Sequence, residues 1–216
     1  MPVWIITGVN RGLGLEFITQ LSGDSANTVI GTTRSLSRDS TKLEFLKSKP
    51  AKSHILECDT GSQESITSFA KKVSSLLGSE KIDFLLNNAG INAQPEQTSL
   101  TLTPEALMEH MNVNVMGPAK TVQVLESHLQ KGSVIMNMTS GLASVGLTRK
   151  MDPTMCATYS ISKAGLNMLT AHQATAFQKK GAIIICMDPG VSKSVFLLSS
   201  RKLLTTGICS GSRQIV

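Results

Sequence analysis

A chain of 216 residues that is 41% hydrophobic and 17% charged fits one folded domain, and argues against both disorder and a multidomain assembly. Aromatic residues make up only 4% and include a single tyrosine, Tyr159, so base-stacking platforms and a membrane aromatic belt have little to be built from. The net charge of +6 raises nucleic acid as a partner, but Lys193, Arg201, Lys202 and Arg213 lie within residues 191–216, which hold no acid. The rest of the chain is nearly neutral and lacks a basic groove, so no nucleic-acid partner is expected.

No apolar run approaches the roughly 18 residues a spanning helix needs, and the first, at 3–6, lacks the basic flank of a signal peptide. No membrane association is expected. Cys58, Cys156, Cys186 and Cys209 are widely spaced, with no CxxC and no Cys/His cluster, which argues against structural zinc, any other metal site and a disulfide framework. A reducing, cytoplasmic setting is the expectation.

In chain order, β-rich apolar runs at 3–6, 28–33, 54–57, 82–86, 133–138 and 182–187 alternate with stretches whose apolar residues recur at helical spacing. The helical stretches carry Leu15, Ile18 and Leu21; Leu43 and Leu46; Ile66, Phe69, Val73 and Leu76; Leu107, Met111 and Val115; and Leu166, Leu169 and Phe177. Parallel neighbours need a crossover, usually a helix, so six strands of which five are followed by helices predict an α/β, doubly wound, Rossmann-like parallel sheet. No repeat or linker divides residues 1–190. After Pro189-Gly190 the period is lost, and residues 191–216 read as an atypical, shortened, basic and disordered C-terminal tail.

The first strand runs into Thr7-Gly8-Val9-Asn10-Arg11-Gly12-Leu13-Gly14 and then a helix. Glycines there let the backbone approach a pyrophosphate, whose charge the helix N-terminus stabilises. The spacing is GxxxGxG, and such a triplet taken alone is more often just a turn; the flanking strand and helix are what favour a dinucleotide. The second strand ends at Arg34 with no acid, which suits the 2′-phosphate of NADP rather than the free ribose of NAD, with Arg11 as a second cation. The plainer alternative is two solvated surface arginines.

Tyr159 and Lys163 stand one helical turn apart on one face, where a nearby ammonium is expected to lower the phenol's pKa and ready it for proton transfer to a carbonyl oxygen. YxxxK alone is a chance pattern, and Ser140 alone would read as a capping serine. Ser140, however, closes the fifth strand, at the sheet edge where ligands bind in open parallel sheets. Asn87-Asn88-Ala89-Gly90 closes the fourth, and Asn114 sits mid-helix, where a poor helix former asks for a reason. Cys156 is read as helix-entry packing rather than a reactive thiol, His54, His110, His128 and His172 as ordinary, and the ten methionines as fillers.

Together, TGVNRGLG at 7–14, Asp59, NNAG at 87–90, Asn114, Ser140, YSISK at 159–163 and PG at 189–190 resemble the single-domain short-chain dehydrogenases/reductases over residues 3–190. Arg34 and the long Ser140-to-Tyr159 interval resemble the C-factor-like, NADPH-dependent carbonyl reductases. The resemblance implies Tyr159 as general acid or base, Lys163 on the nicotinamide ribose, Ser140 orienting the substrate carbonyl and Asn114 anchoring a water. It implies Gly8, Asn10, Arg11, Gly12, Leu13 and Gly14 as the dinucleotide loop, Asp59 at the adenine amine, Asn88 and Ala89 by the adenine ribose, and Gly90 among the cofactor-binding residues. Pro189 and Gly190 would border the nicotinamide. Hydride transfer between NADP(H) and a small carbonyl or alcohol follows, with a homodimer through the long helices as the family's usual assembly. The family's usual pattern past PG, a covering loop and helix and then a last strand, is not matched, as though the end were altered by a shifted frame or a read-through intron. The rival reading is therefore a nucleotide-binding protein with impaired catalysis.

Overall fold

The computed structural model describes residues 1–150 and 155–190; the tail expectation for 191–216 lies outside the described residues. Six strands, β1 (Val3–Ile6), β2 (Thr28–Thr33), β3 (Lys52–Glu57), β4 (Ile82–Asn87), β5 (Leu129–Met138) and β6 (Ile183–Met187), form one sheet in the order β3-β2-β1-β4-β5-β6. Every pairing is parallel. The chain thus winds outward from β1 in both directions, and the order reverses between β1 and β4, which makes the crevice above their carboxyl ends the expected ligand site.

The crossovers are helical: α1 (Gly12–Leu21), α2 (Leu36–Leu43), α3 (Gln63–Leu77), α4 (Pro104–Met111), α5 (Gly117–Leu125) and, after a short α6 (Val145–Thr148), the long α7 (Ala157–Phe177). One face of the sheet packs Ile5, Ile30, Leu85 and Ile135 against Ile66, Phe69 and Val73 of α3 and Val122 and Leu125 of α5. The other packs Ile6, Val29, Leu86 and Met136 against Ile18 of α1 and Leu43 of α2. Each fully buried Ile, Leu or Phe contributes about 1.5–3 kcal/mol, so these two layers fix the sheet on which the site is mounted. On β6, alternation leaves Ile183 52% and Met187 40% exposed while Ile184 is buried.

Strand starts differ from expectation at β3, β5 and β6. β3 begins at Lys52, two residues earlier than the apolar pattern indicates, β5 at Leu129, four earlier, and β6 at Ile183, one later; within the early part of β5 the Gly132 N–H donates to the Gly181 carbonyl at 2.9 Å. The β4–β5 register shifts between Ile82 and Phe84, which absorbs that irregular entry.

Candidate active site

The β1–α1 turn is built around backbone that only glycine adopts without strain. Gly8 and Gly12 have φ of 73° and 58°. Gly14 is under a different constraint: a Cβ there would sit 2.1 Å from the Gly8 carbonyl oxygen and 2.6 Å from Asn88 Nδ2. The turn is clamped to the end of β4. Thr7 Oγ1 accepts from the Asn88 and Ala89 N–H groups, both at 3.0 Å, while Asn88 Nδ2 donates to the Thr7 and Gly8 carbonyls at 2.9 and 3.1 Å. Asn88, expected beside a ribose, thus holds the glycine turn with its side chain.

A second clamp was not legible beforehand. Asp39 of α2 is 5% exposed, and its Oδ2 accepts from Thr33 Oγ1 at the end of β2 and from Asn10 Nδ2 in the turn at 3.1 Å. The Thr33 hydroxyl first, then Asn10, Lys42 and Arg38, hold its carboxyl below the usual aspartate value against the opposing effect of burial. The Asn10 amide is therefore committed to Asp39, and Leu13 lies half-buried within α1. Arg11 and Arg34 are exposed on either side of this clamp, and no ion pair among the described residues engages them. Asp59 accepts from the Gly61 N–H at 2.9 Å and its own N–H donates to Ser65 Oγ at 2.9 Å, so it also shapes the entry to α3.

The four residues expected to react converge at the carboxyl ends of β4 and β5. Asn114 lies in a π-helical segment, Asn112–Met116, between α4 and α5. Its Oδ1 accepts from the Ile91 N–H at 2.8 Å, and its Nδ2 donates to the Ile91 carbonyl and to Ser162 Oγ, both at 2.9 Å. Ser162, fully buried, in turn donates to the Tyr159 carbonyl at 2.7 Å. A methyl on Gly90 would lie 3.1 Å from Asn114 Oδ1 and 3.3 Å from Lys163 Nζ, which places Asn114 and Lys163 on either side of that glycine.

Ser140 does cap a helical turn, accepting from the Leu142 N–H at 3.3 Å, and it lies close enough to Tyr159 to lower the phenol's pKa against the effect of burial. Lys163 Nζ lies 5.7 Å from the centre of the Tyr159 ring and donates to the Met138 carbonyl at 2.7 Å. The register of α7 on β5 is set by a row of polar contacts. Thr139 Oγ1 donates to Asn167 Oδ1 at 2.6 Å, and Asn137 Nδ2 donates to Thr170 Oγ1 and Gln173 Oε1 at 2.9 and 3.1 Å. These bonds, one helical turn apart, place Tyr159 against Ser140. The helix opens at Cys156, which has φ of 63° and whose N–H donates to the Pro95 carbonyl at 2.7 Å. Pro189 and Gly190 follow β6 at the same edge, exposed, with Gly190 at φ of 67°.

One electrostatic expectation is corrected. Burial pushes the Tyr159 phenol up to about 12, outweighing the Ser140 hydrogen bond, with Cys156 and Asp188 adding to the rise. Burial also lowers Lys163 from 10.5 to about 8. Desolvation dominates because both groups sit against the sheet, and the ammonium is tied to the Met138 carbonyl. Between about pH 8 and 10.5 the unfolded chain holds a proton on Lys163 that the folded chain has released, so stability should rise with pH across that window. From 10.0 to about 12 the Tyr159 phenol works the other way. Lys163→Met should flatten the rise above pH 8. Urea unfolding followed by Trp4 fluorescence at a series of pH values checks this, and an unchanged slope would contradict the burial of the ammonium.

Among the described residues no group of three or more His, Cys, Asp and Glu side chains could hold a metal, and no helix is long and apolar enough to cross a membrane. His110, fully buried, accepts from the Ala93 N–H at 3.2 Å and bonds the Ala106 carbonyl at 2.7 Å, and so braces the loop beside Asn114.

The sequence and the fold have counterparts among known proteins. A family model described as short chain dehydrogenase matches residues 2–202, past the Gly190 boundary expected from the motifs. The chain is 30% identical over 200 residues to the short-chain dehydrogenase/reductase atnB of an Arthrinium species, covering 88% of this chain and 74% of that protein. It is 32% identical over 203 residues to the short-chain dehydrogenase/reductase AacuF of Aspergillus aculeatus, covering 89% and 75%. Among solved structures, the NADPH-bound carbonyl reductase from chicken fatty liver superposes with a TM-score of 0.77 at 26% identity, over 88% of this chain and 80% of that one. With the family model spanning nearly the whole chain and the glycine turn and Ser-Tyr-Lys cluster on one sheet edge, the protein belongs to the short chain dehydrogenase family of oxidoreductases.

Proposed function

We propose that residues 1–190 form an NADP(H)-dependent catalytic domain that reduces a ketone or aldehyde to the alcohol, with residues 191–216 as an appended basic tail. The observation that carries the reading is the placement of the Tyr159 phenol beside Ser140, which lowers its pKa, with Lys163 Nζ 5.7 Å from the centre of the same ring, at the strand edge that also bears the glycine turn. The turn suits a dinucleotide: Gly14 leaves no room for a side chain, Gly8 and Gly12 take left-handed backbone, and the N-terminus of α1 points from the turn. Gly8, Arg11, Gly12, Leu13 and Gly14 would hold the phosphates, Asp59, Asn88, Ala89 and Gly90 the adenosine half, and Pro189 and Gly190 the nicotinamide. When bound, the cofactor supplies the hydride.

The protein's own part is to hold the carbonyl and deliver a proton. Ser140 orients the carbonyl oxygen through its hydroxyl. Tyr159 donates its proton to that oxygen as negative charge develops, and Asn114, tied to α7 through Ser162, keeps the Tyr159 turn in place. A phenol held above its ordinary value is protonated at neutral pH, the form from which Tyr159 would give its proton to the carbonyl oxygen.

Cofactor choice rests on Arg34. NADPH should raise the melting temperature more than NADH does, and Arg34→Asp should cut the ratio of affinities for NADPH over NADH by at least about tenfold, through loss of a charge-assisted bond to the 2′-phosphate. Titration of both cofactors against wild type and variant, followed by NADPH oxidation over a panel of aldehydes and ketones, tests the reading. Better protection by NADH would remove the Arg34 assignment. Protection by NADPH with no carbonyl turned over would favour the nucleotide-binding rival.

A further inference from the structure

A charged side chain stands at the candidate site without a role in the reaction just described. Register Met138↔Met187 and the Thr139 N–H to Met187 carbonyl bond of 2.9 Å seat the end of β6 directly beside the Ser140 turn. The next residue, Asp188, projects over that turn: a methyl built on Gly141 would lie 3.1 Å from its Oδ2. Its Oδ1 accepts from the Gly190 N–H at 3.0 Å, which fixes the carboxylate's orientation. Asp188 is exposed, and the ion pairs among the described residues, Lys47 with Glu44 and Lys180 with Glu126, do not include it. Its charge reaches the Tyr159 phenol, where it adds to the rise caused by burial and by the Cys156 thiol. The Lys163 ammonium, which could offset it, is bonded to the Met138 carbonyl beneath the ring.

Resting on the reading of Tyr159 and Ser140 as the carbonyl-reducing pair, we infer that Asp188 is a charge filter at the mouth of the site, rejecting carbonyl compounds with a carboxylate or phosphate beside the reacting carbon and admitting neutral or cationic ones. The reasoning is one of repulsion. A substrate whose oxygen lies between Ser140 and Tyr159 carries its substituents past the Gly141 side of the turn, where Asp188 Oδ2 is the neighbouring charge. Like charges a few ångströms apart in a partly desolvated site disfavour binding, and specificity is set as much by what is repelled as by what is held. Exposure leaves the effect sensitive to salt.

The test compares a 2-oxo ester with the 2-oxo acid of the same skeleton, under NADPH, in wild type, Asp188→Asn and Asp188→Glu. The acid-to-ester ratio of kcat/KM should be low in wild type, rise about tenfold in Asp188→Asn, stay low in Asp188→Glu, and show less difference at high salt. An Asp188→Asn ratio equal to that of wild type, or an equal rise in Asp188→Glu, overturns the filter while leaving the reductase reading intact. If neither compound is turned over above a Tyr159→Phe control, the reductase reading itself fails, and the filter with it.

Discussion

Replacing Tyr159 by Phe is expected to lower kcat/KM for NADPH-dependent carbonyl reduction by roughly a thousandfold, within the range that a positioned general acid contributes. The ring stays, so its packing beside Lys163 stays, and what disappears is the hydroxyl beside Ser140. Because α7 is held by other polar contacts, the melting temperature should move little: Asn137, Thr139 and Ser162 keep their partners. NADPH affinity should also be nearly unchanged. Steady-state kinetics alongside a thermal melt separates the outcomes. A comparable loss of stability would show that Tyr159 acts chiefly in packing, and retained turnover would remove it from the reaction.

Gly14→Ala should be the most damaging single methyl in the domain. The added carbon would meet the Gly8 carbonyl oxygen at 2.1 Å and Asn88 Nδ2 at 2.6 Å, and neither can retreat, because Asn88 bonds the Thr7 and Gly8 carbonyls. Relief requires the turn to part from α1 or from the β4 end, which costs about 2–4 kcal/mol. NADPH binding should fall with it, since the displaced atoms are the proposed phosphate cradle. Gly146→Ala, in α6, is the control. Its Cβ meets nothing nearer than Ser144 Oγ at 3.9 Å and its backbone needs no positive φ, so it should change stability by less than about 1 kcal/mol. Urea unfolding of the two variants should therefore differ in midpoint, with only Gly14→Ala losing protection by NADPH. Similar midpoints would mean that the turn yields more easily than its contacts indicate.

The sheet was legible because its strands are short apolar runs flanked by turn residues, and buried parallel strands have that signature on both faces. The start of β5 was not, since Gln130, Lys131 and Gly132 are polar or lack a side chain and leave no apolar run to mark it. Tyr159, Lys163, Ser140 and Asn114 could be named as candidates only as a set in a telling order, since YxxxK alone is a chance pattern and Ser140 alone reads as a cap. Ser162 and Asp39 could not. Ser162 looks like one of many helical serines, and Asp39, amid Arg38 and Lys42, looks like a solvated helix charge. Only the folded chain shows one bridging Asn114 to the Tyr159 turn and the other joining β2 to the glycine turn. The sign of the Tyr159 shift was also hidden, since spacing along a helix reports the neighbouring ammonium but not how far the sheet strips water from both groups.

The central claim is that this domain moves a hydride from NADPH to a carbonyl carbon while Tyr159 protonates the oxygen. Incubating the protein with a ketone and NADPH deuterated at the transferring carbon, then weighing the alcohol by mass spectrometry, tests it most directly. One deuterium on the carbinol carbon, absent with Tyr159→Phe, is the expected result. Alcohol without the label, or none above the Tyr159→Phe control across the carbonyl panel, would contradict it.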